Sequence, residues 1–149
     1  MRIISFCADS IVDAAKRGFF DWVTKQDADI ICIQNLGIAE YKLRDDVYFP
    51  RDYNPYFFDA ADGKHNGVAI YCRKLPKAIM TGLGFLDFDM DGLYIQADFD
   101  NISIGSLLAP TAEEGDSAGL IRKNQFFEQF GNHLTKVRNK RRDFIICGN

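Results

Sequence analysis

The sequence predicts a single α/β domain, and three observations predict it. Two similar apolar runs, IICIQN at residues 30–35 and FIICGN at residues 144–149, are typical of buried strands that end at asparagine. A stretch with apolar residues at helical spacing precedes each of them. Between the two halves, five short apolar runs are separated by turn residues, which is typical of antiparallel strands. We therefore predict a mixed sheet with two long covering helices.

The first strand is predicted in RIISFCA, at residues 2–8, and a helix follows over residues 10–25. Ser10 and Asp13 supply an N-cap and a first-turn acid for this helix, and Phe19 and Trp22 are assigned to its core face. The strand DIICIQN comes next, parallel to the first strand because the helix between them forms a right-handed crossover. One short helix is expected within residues 38–48.

The hydrophobic period changes at Tyr53, and the five short runs from there predict an antiparallel meander. A second long helix is predicted from about Ser117 to Arg138. Its expected buried stripe consists of Leu120, Ile121, Phe127, Phe130, Leu134 and Val137. The final strand is apolar enough to be central in a sheet, and a central strand needs neighbours on both sides. We therefore expect a domain of residues 1–149 that is truncated after Asn149, or a second chain that supplies the neighbour, as in a homodimer.

Composition and charge exclude several classes of function. The 149 residues are 47% hydrophobic, which is enough for one ordinary core, and the net charge of −3 favours neither nucleic acid nor membrane. No signal peptide and no apolar run of membrane-spanning length is visible, so a cytoplasmic protein is expected. The four cysteines lie in apolar runs without zinc spacing, which predicts buried thiols in a reducing compartment.

Several motifs resemble the exonuclease III-type members of the endonuclease/exonuclease/phosphatase superfamily. They are, in order along the whole chain, RIIS, DADIICIQ, GVAIY, IQADF, LLAP followed by EEGD, and IICG. The resemblance implies the DNase I-like fold, a four-layer αββα sandwich. Residues 1–149 would supply its N-terminal half, as one sheet with its covering helices.

Active members of that family hydrolyse phosphodiesters with a divalent metal, usually magnesium, and the resemblance places five of their motif positions on this chain. Cys7 stands where those enzymes carry an asparagine, and Asn35 stands where they carry the metal-binding glutamate. Leu93 replaces an arginine, Leu108 replaces the catalytic tyrosine, and Asn149 replaces an aspartate. All five positions are therefore degenerate.

These replacements predict a pseudoenzyme without a cofactor. Asn35 lacks the charge of a carboxylate, Cys7 is a soft ligand for a hard ion, and the leucines carry no donor. Losing one transition-state donor typically costs about a hundred- to a thousand-fold in rate. Asp9 matches the next polar position of the first motif and is a weak candidate for a magnesium ligand. The acids of EEGD are expected to be solvated.

One branch of the family, the catabolite repression control (Crc) proteins, shares the degenerate site and resembles GLGF, YIQADFD, SLLAP and KRRDFIICG here. This resemblance implies a post-transcriptional regulator that assembles with the Sm-like RNA chaperone Hfq on A-rich messenger RNA and represses translation. A basic run is the expected RNA or partner contact, unless it only complements the helix dipole. It consists of Lys136, Arg138, Lys140, Arg141 and Arg142.

Two rival functions stay open. One is a divergent magnesium-dependent AP endonuclease or exodeoxyribonuclease III-type phosphodiesterase in DNA repair, which would need magnesium near Asp9 and Asn35. The other is a half of a protein that is inert without the remainder.

Overall fold

The computed structural model describes all residues from Met1 to Asn149 and contains two four-stranded sheets. The first sheet has the order β1-β2-β4-β3, and the second has the order β5-β6-β7-β8. The strands are β1 Ile3–Cys7, β2 Ile30–Gln34, β3 Asn54–Phe58, β4 Val68–Cys72, β5 Ala78–Thr81, β6 Tyr94–Asp98, β7 Ile102–Leu107 and β8 Asp143–Gly148. β1 pairs with β2 and β7 pairs with β8 in parallel, and all other pairs are antiparallel. The α/β class and the mixed strand directions are confirmed.

The prediction of a single sheet that contains one continuous antiparallel meander is wrong. The chain leaves the first sheet after β4 and begins the second sheet at β5, so the predicted meander is divided between two layers. The strands β2 and β4 are buried along their whole length, because one face is covered by helices and the other by the second sheet. A single sheet covered on one face would leave half of these side chains in water.

The first predicted helix is broken into two short helices, α1 Ile11–Lys16 and α2 Phe19–Val23. Gly18 lies between them with a φ of 89°, a left-handed conformation that suits glycine and interrupts the helical hydrogen bonds. The break changes the phase of the helix, and Trp22 is consequently 51% exposed instead of being a core residue. The predicted N-cap is correct, since Ser10 Oγ accepts a hydrogen bond from the Asp13 amide at 3.2 Å.

Residues 38–48 also differ from the prediction, because they form two separate turns of 3₁₀ helix instead of one short α-helix. These turns are Glu40–Lys42 and Asp46–Tyr48.

The second predicted long helix is confirmed as α3, Ser117–Arg138, but only two of the six residues of its predicted buried stripe pack against the core. The residues that pack are Phe126 and Val137, with Phe130 half-buried. The other four members of the predicted stripe are between 40% and 59% exposed: Leu120, Ile121, Phe127 and Leu134. The helix carries apolar residues on two faces, and the face with Phe126 packs because it meets the aromatic side chains of the segment between β5 and β6. Neither α3 nor any shorter helix combines the length and the hydrophobicity of a membrane-spanning segment.

Two apolar clusters hold the layers together. One joins α1 and α2 to the outer face of the first sheet, and the other joins the inner face of that sheet to the second sheet and α3. A buried polar contact crosses between the sheets, because Gln34 Nε2 of β2 donates to Ser106 Oγ of β7 at 2.9 Å. The sandwich therefore has the layer order of helices, sheet, sheet and helix.

Gly105 of β7 allows a close approach inside the second sheet, and this gives a testable prediction. A Cβ atom at this position would lie 2.5 Å from Tyr94 Oη, and Tyr94 is only 1% exposed. We expect Gly105→Ala to lower the free energy of unfolding by about 1–3 kcal/mol, because an overpacked core must distort. Gly131→Ala is the matched control in urea denaturation. Apart from its own stretch of helix, no atom lies within 4 Å of its Cβ position, so the free energy of unfolding should rise by up to about 1 kcal/mol.

His133 of α3 gives a prediction on pH. Its Nε2 atom is buried without a hydrogen-bond partner, and burial lowers the pKa of the ring, with Lys140 and Lys136 adding repulsion. Below the ordinary histidine pKa, the unfolded chain therefore binds more protons than the folded chain, and stability must fall as the pH falls. We expect the urea midpoint to decrease between pH 7 and pH 5. His133→Gln should flatten this part of the profile, and an unchanged profile would show that His133 is not responsible.

Candidate functional site at the strand ends

The carboxyl ends of β1, β2, β7 and β8 lie at the same edge of the sandwich, and backbone hydrogen bonds connect the segments that follow them. The Ala8 amide donates to the Gln34 carbonyl at 2.8 Å, which joins the ends of β1 and β2. The Ala109 amide donates to the Asn149 carbonyl at 2.8 Å, which joins the ends of β7 and β8. The motif positions that are distant in sequence therefore meet at one edge.

Four polar side chains form a hydrogen-bonded group there, which we call the strand-end cluster: Cys7, Asp9, Asn35 and Asn149. Asn35 Nδ2 donates to Asp9 Oδ1 at 2.9 Å, and the Cys7 thiol donates to the same oxygen at 3.5 Å. Asn149 Nδ2 donates to Cys7 Sγ at 3.3 Å. Three of the five predicted degenerate positions, and the weak metal candidate Asp9, are thus in direct contact.

The two leucine positions lie at the same edge but do not reach the cluster with a polar group. The Leu108 amide donates to the Leu93 carbonyl at 2.8 Å, and both side chains are buried, at 5% and 4% exposure. They pack into the apolar cluster between the layers. This part of the edge consequently offers no side-chain donor to a ligand.

The backbone explains why an asparagine suits the end of β2. Asn35 has a φ of 60° and Asp9 has a φ of 53°, so both residues adopt the left-handed conformation. Asparagine and aspartate tolerate this conformation better than other residues with side chains. Two residues in the left-handed conformation that are hydrogen-bonded to each other store local backbone strain, and such strain concentrates at functional sites.

The Cys7 thiol stays protonated in this environment. Partial burial raises its pKa, and the hydrogen bond to Asp9 and the negative charge of that residue raise it further. A protonated thiol is neither a nucleophile nor a metal ligand. Cys7 therefore acts as a hydrogen-bond donor to Asp9.

The cluster does not fit the magnesium ion that the family resemblance implies. Asp9 is its only carboxylate, and one of the two Asp9 oxygens already accepts two hydrogen bonds. Asn35 turns its amide N–H groups toward that carboxylate, where a magnesium site needs oxygen ligands. No group of three or more histidine, cysteine, aspartate or glutamate side chains is arranged to hold a metal.

The acids of the EEGD segment do not rebuild such a site. Glu113 and Glu114 are exposed, as expected for solvated side chains. Asp116 has a structural role, because its Oδ1 accepts a hydrogen bond from the Gly119 amide at 2.9 Å and caps α3.

An open groove of about 500 Å³ adjoins the cluster and shares Asp9 with it. Phe6 and Phe19 stack in its wall with ring centroids 4.3 Å apart, and Trp22 and Arg17 complete its rim. Phe19 belongs to the core, as the sequence predicted, but the sequence also placed Trp22 there and so missed this groove. The sequence signal that could have predicted the groove is Gly18, because this glycine breaks the helix.

The loop of residues 62–67 also borders the site and was not predicted to do so. The Leu36 and Gly37 amides donate to the carbonyls of Gly67 and Asn66, at 3.1 and 2.9 Å. Asp62 holds the loop, because the His65 and Lys64 amides and the His65 ring bind its carboxylate and lower its pKa to about 2. Lys64 thereby becomes an exposed cation close to the strand ends.

The basic run lies away from this site. Lys136 and Arg138 end α3, and the run then leads into the start of β8, whereas the cluster adjoins its end. The six residues of β8 separate the two by roughly 20 Å. Arg142 is half-buried and donates to the carbonyls of Phe99 and Ile102 at 2.7 and 3.1 Å, which gives it a structural role. The other four cations of the run are exposed.

Comparison with known proteins identifies relatives of the whole chain. A model of the endonuclease/exonuclease/phosphatase family matches residues 10–149. The DNA repair nuclease APEX1 of Danio rerio is 28% identical over 153 residues, which cover 99% of this chain and 48% of the relative. The exodeoxyribonuclease of Bacillus subtilis is 25% identical over 149 residues, which cover 99% of this chain and 57% of the relative. The chain thus spans about half the length of these curated relatives.

Solved structures agree on the fold. An AP endonuclease from Archaeoglobus fulgidus superposes with a TM-score of 0.86 at 23% identity, covering 99% of this chain and 56% of the other. A 3′-5′ exonuclease from Neisseria meningitidis gives a TM-score of 0.86 at 19% identity, covering 99% and 57%. The DNase I-like αββα fold is confirmed.

The prediction of a catabolite repression regulator that acts with Hfq is wrong. The relatives are named as a DNA repair nuclease, an apurinic or apyrimidinic site endonuclease and an exodeoxyribonuclease. These names match the rival prediction of a DNA repair protein. The motifs assigned to the regulator branch are therefore explained by the wider family.

Proposed function

Because the chain belongs to the endonuclease/exonuclease/phosphatase family, we propose that it recognises DNA as a divergent AP endonuclease or exonuclease III-type protein that has lost magnesium-dependent hydrolysis. The hydrogen bond from Asn35 Nδ2 to Asp9 Oδ1 carries this proposal. It places a neutral donor where active members hold a metal-binding carboxylate. On this proposal, the chain corresponds to the half of the family fold that contains the first metal-ligand positions, and the neutral Asn35 occupies the position of the charged ligand.

The preserved scaffold supports DNA recognition. The strand ends still converge, the loops of residues 8–10 and 62–67 still border them, and an open aromatic groove adjoins them. Lys64 and Arg17 are exposed cations on this edge, and exposed cations bind phosphates with little demand on geometry. The name of one relative makes an abasic site in DNA the substrate to test first.

The side chains at the edge support the loss of hydrolysis. Phosphodiester cleavage with magnesium needs hard oxygen ligands and donors for the charge that develops on the phosphate. Asp9 is the one carboxylate of the cluster, and Leu93 and Leu108 supply no donor. Loss of a single such donor typically lowers the rate by a factor of about a hundred to a thousand, and both positions lack a donor here.

A second candidate function, a weak phosphodiesterase that still uses magnesium, is favoured by one observation. Asp9 is exposed, and its Oδ2 atom accepts no hydrogen bond within the chain. That oxygen is free to bind a hydrated cation. The candidate differs from the main proposal in requiring magnesium for cleavage.

A binding measurement tests DNA recognition. The labelled substrate is a duplex with one abasic-site analogue, the competitor is the same duplex without it, and binding is followed by fluorescence anisotropy in EDTA. We expect the abasic duplex to bind at least several-fold more tightly than its competitor. Equal affinity, or no binding to either duplex at low salt, would contradict the proposal.

One lysine variant and one arginine variant locate the DNA-binding surface. Lys64→Ala should weaken binding and reduce the salt dependence by about one phosphate contact, because Lys64 borders the strand ends. Arg141→Ala is the matched control, since it removes an exposed cation from the opposite edge. A loss of binding with Arg141→Ala alone would instead assign recognition to the basic run, as the sequence predicted for RNA.

A further inference from the structure

The open groove beside the strand-end cluster has a wall of aromatic rings. It lies between the end of β1 and the two short helices, and Phe6 and Phe19 stack in it with an angle of 12° between their planes. Trp22 continues this wall, with its ring centroid 6.3 Å from that of Phe19 and a tilt of 39°. Phe19 is buried and Trp22 is half-exposed, so the indole ring is the aromatic surface that a ligand reaches.

The rim of this groove carries charged groups that are not paired within the chain. Asp13 and Arg17 lie one turn apart on α1, a spacing at which opposite charges often pair. Both side chains are exposed, and neither takes part in a salt bridge. Asp9 also lines the groove, and one of its carboxylate oxygens accepts no hydrogen bond. The groove therefore offers free acceptors and a free cation beside an aromatic surface.

This combination matches the chemistry of an unpaired nucleobase. Every base stacks on aromatic side chains, because each has a π-face. A carboxylate accepts a hydrogen bond from an exocyclic amino group, as aspartate does from N4 of cytosine. Thymine carries a carbonyl oxygen in place of that amino group, so it meets the carboxylates with a second acceptor. The guanidinium of Arg17 suits a phosphate of the same strand.

A cationic partner fits the groove less well. An arginine-rich segment of a protein would satisfy the carboxylates and stack on the indole. It would also be repelled by Arg17, which has no acid paired to it. A base with its phosphate uses all three kinds of group, namely the ring, the acceptors and the cation.

We propose that this groove binds one unpaired DNA base, stacked on Trp22, and that Asp13 makes it prefer cytosine over thymine. Arg17 binds the phosphate next to that base. The inference rests on the proposed recognition of DNA, since an abasic site leaves the base opposite it without a partner. It adds a contact to a base, whereas Lys64 contacts the backbone.

The fluorescence of Trp22 tests the proposal, because Trp22 is the only tryptophan of the chain and its signal reports on this groove alone. The probes are single-stranded oligodeoxycytidylate and oligothymidylate of equal length, titrated in EDTA at neutral pH and low salt. We expect stacking to quench the indole, and the cytidylate to bind at least several-fold more tightly than the thymidylate. Equal affinity for the two, binding without quenching, or no binding overturns the proposal.

Two variants at position 22 separate stacking from simple apolar contact. Trp22→Phe keeps a π-face and should bind labelled cytidylate within a few-fold of the parent chain, as read by anisotropy. Trp22→Leu should weaken binding by about five- to a hundred-fold. Phe127→Leu is the matched control, because it removes an exposed ring from α3 on the opposite outer layer. Equal affinities of the two position-22 variants, or an equal loss in the control, would contradict stacking on Trp22.

The variant Asp13→Asn tests the choice of base. Its amide offers a donor as well as an acceptor, so the preference for cytidylate should disappear while thymidylate binding does not fall. An unchanged preference would show that Asp13 does not select the base. Quenching by an arginine-rich peptide and by neither oligonucleotide would assign the groove to a cationic partner and overturn the proposal.

Failure of this subsite and failure of the proposed function give different results, since the oligonucleotides contain no abasic site. Loss of the proposed function removes the preference for the abasic duplex over its intact competitor. Loss of the subsite removes the quenching and the preference for cytidylate, and leaves the abasic preference in place.

Discussion

Replacing Phe126 with alanine is expected to lower the free energy of unfolding by about 3–5 kcal/mol, the largest effect of any single substitution considered for this fold. The side chain is 1% exposed and packs at the centre of an aromatic group. Its ring centroid lies 5.3 Å from that of Phe88, 5.9 Å from that of Phe85 and 5.9 Å from that of Phe130. Removing it leaves a cavity that three rings cannot fill without moving.

Phe127→Ala is the matched control for this prediction, measured by urea denaturation under the same conditions. Phe127 is its neighbour on α3 and is 44% exposed, so the loss should stay near or below about 1 kcal/mol. The comparison also tests the phase of the helix. A larger loss for Phe127 than for Phe126 would restore the buried stripe that the sequence predicted and contradict the packing of α3.

Replacing Asn35 with glutamate is expected to create a response to magnesium that the parent chain lacks. The glutamate would face Asp9, so two carboxylates would meet at the strand ends, as a hard cation requires. Without metal, the free energy of unfolding of the variant should be about 1–2 kcal/mol lower than that of the parent chain, because glutamate is strained at a φ of 60° and is repelled by Asp9. Millimolar magnesium should recover a comparable amount, through binding to the folded state alone.

The thermal midpoint in magnesium, compared with that in EDTA, measures this response. Asn35→Gln is the matched control, because it has the length of glutamate and the same backbone strain but no charge. It should be destabilised and should not respond to magnesium. A magnesium-dependent rise in the midpoint of the parent chain would show that the cluster already binds the ion, and equal responses of both variants would exclude a role for the new carboxylate.

The elements that the sequence predicted well are those with a strong local pattern. The strands β1, β2 and β8 lie where their apolar runs predicted them, and β2 is buried along its whole length as expected. The expectation that the last strand is buried and central is wrong for the described chain, because β8 is an edge strand and Ile145 is 38% exposed. The division into two sheets was not predictable from these patterns, since β4 and β5 look like consecutive strands of one meander. The helix predictions failed for a similar reason, since local pattern does not show tertiary packing. Gly18 breaks the first helix, and α3 carries apolar residues on two faces. Only tertiary packing decides which apolar face is buried.

The strand-end cluster was predictable from the family motifs and not from spacing. Cys7, Asn35 and Asn149 are distant in sequence, yet the residues assigned to the family motifs meet at one edge. Their hydrogen bonds and the left-handed backbone of Asn35 could not be read from the sequence. The choice of a regulator over a DNA repair protein was wrong, because degenerate catalytic positions describe what a site has lost and do not identify a partner.

The most direct test of the proposed function is an incision assay on the abasic duplex, with magnesium present and with the protein in excess over DNA. Binding is recorded by anisotropy in the same mixture, so absence of cleavage is distinguished from absence of binding. A protein that has kept recognition and lost hydrolysis will bind the duplex and leave it intact at the rate seen in buffer. Incision that stops in EDTA and in the Asp9→Asn variant would contradict this, and would establish the chain as a magnesium-dependent phosphodiesterase.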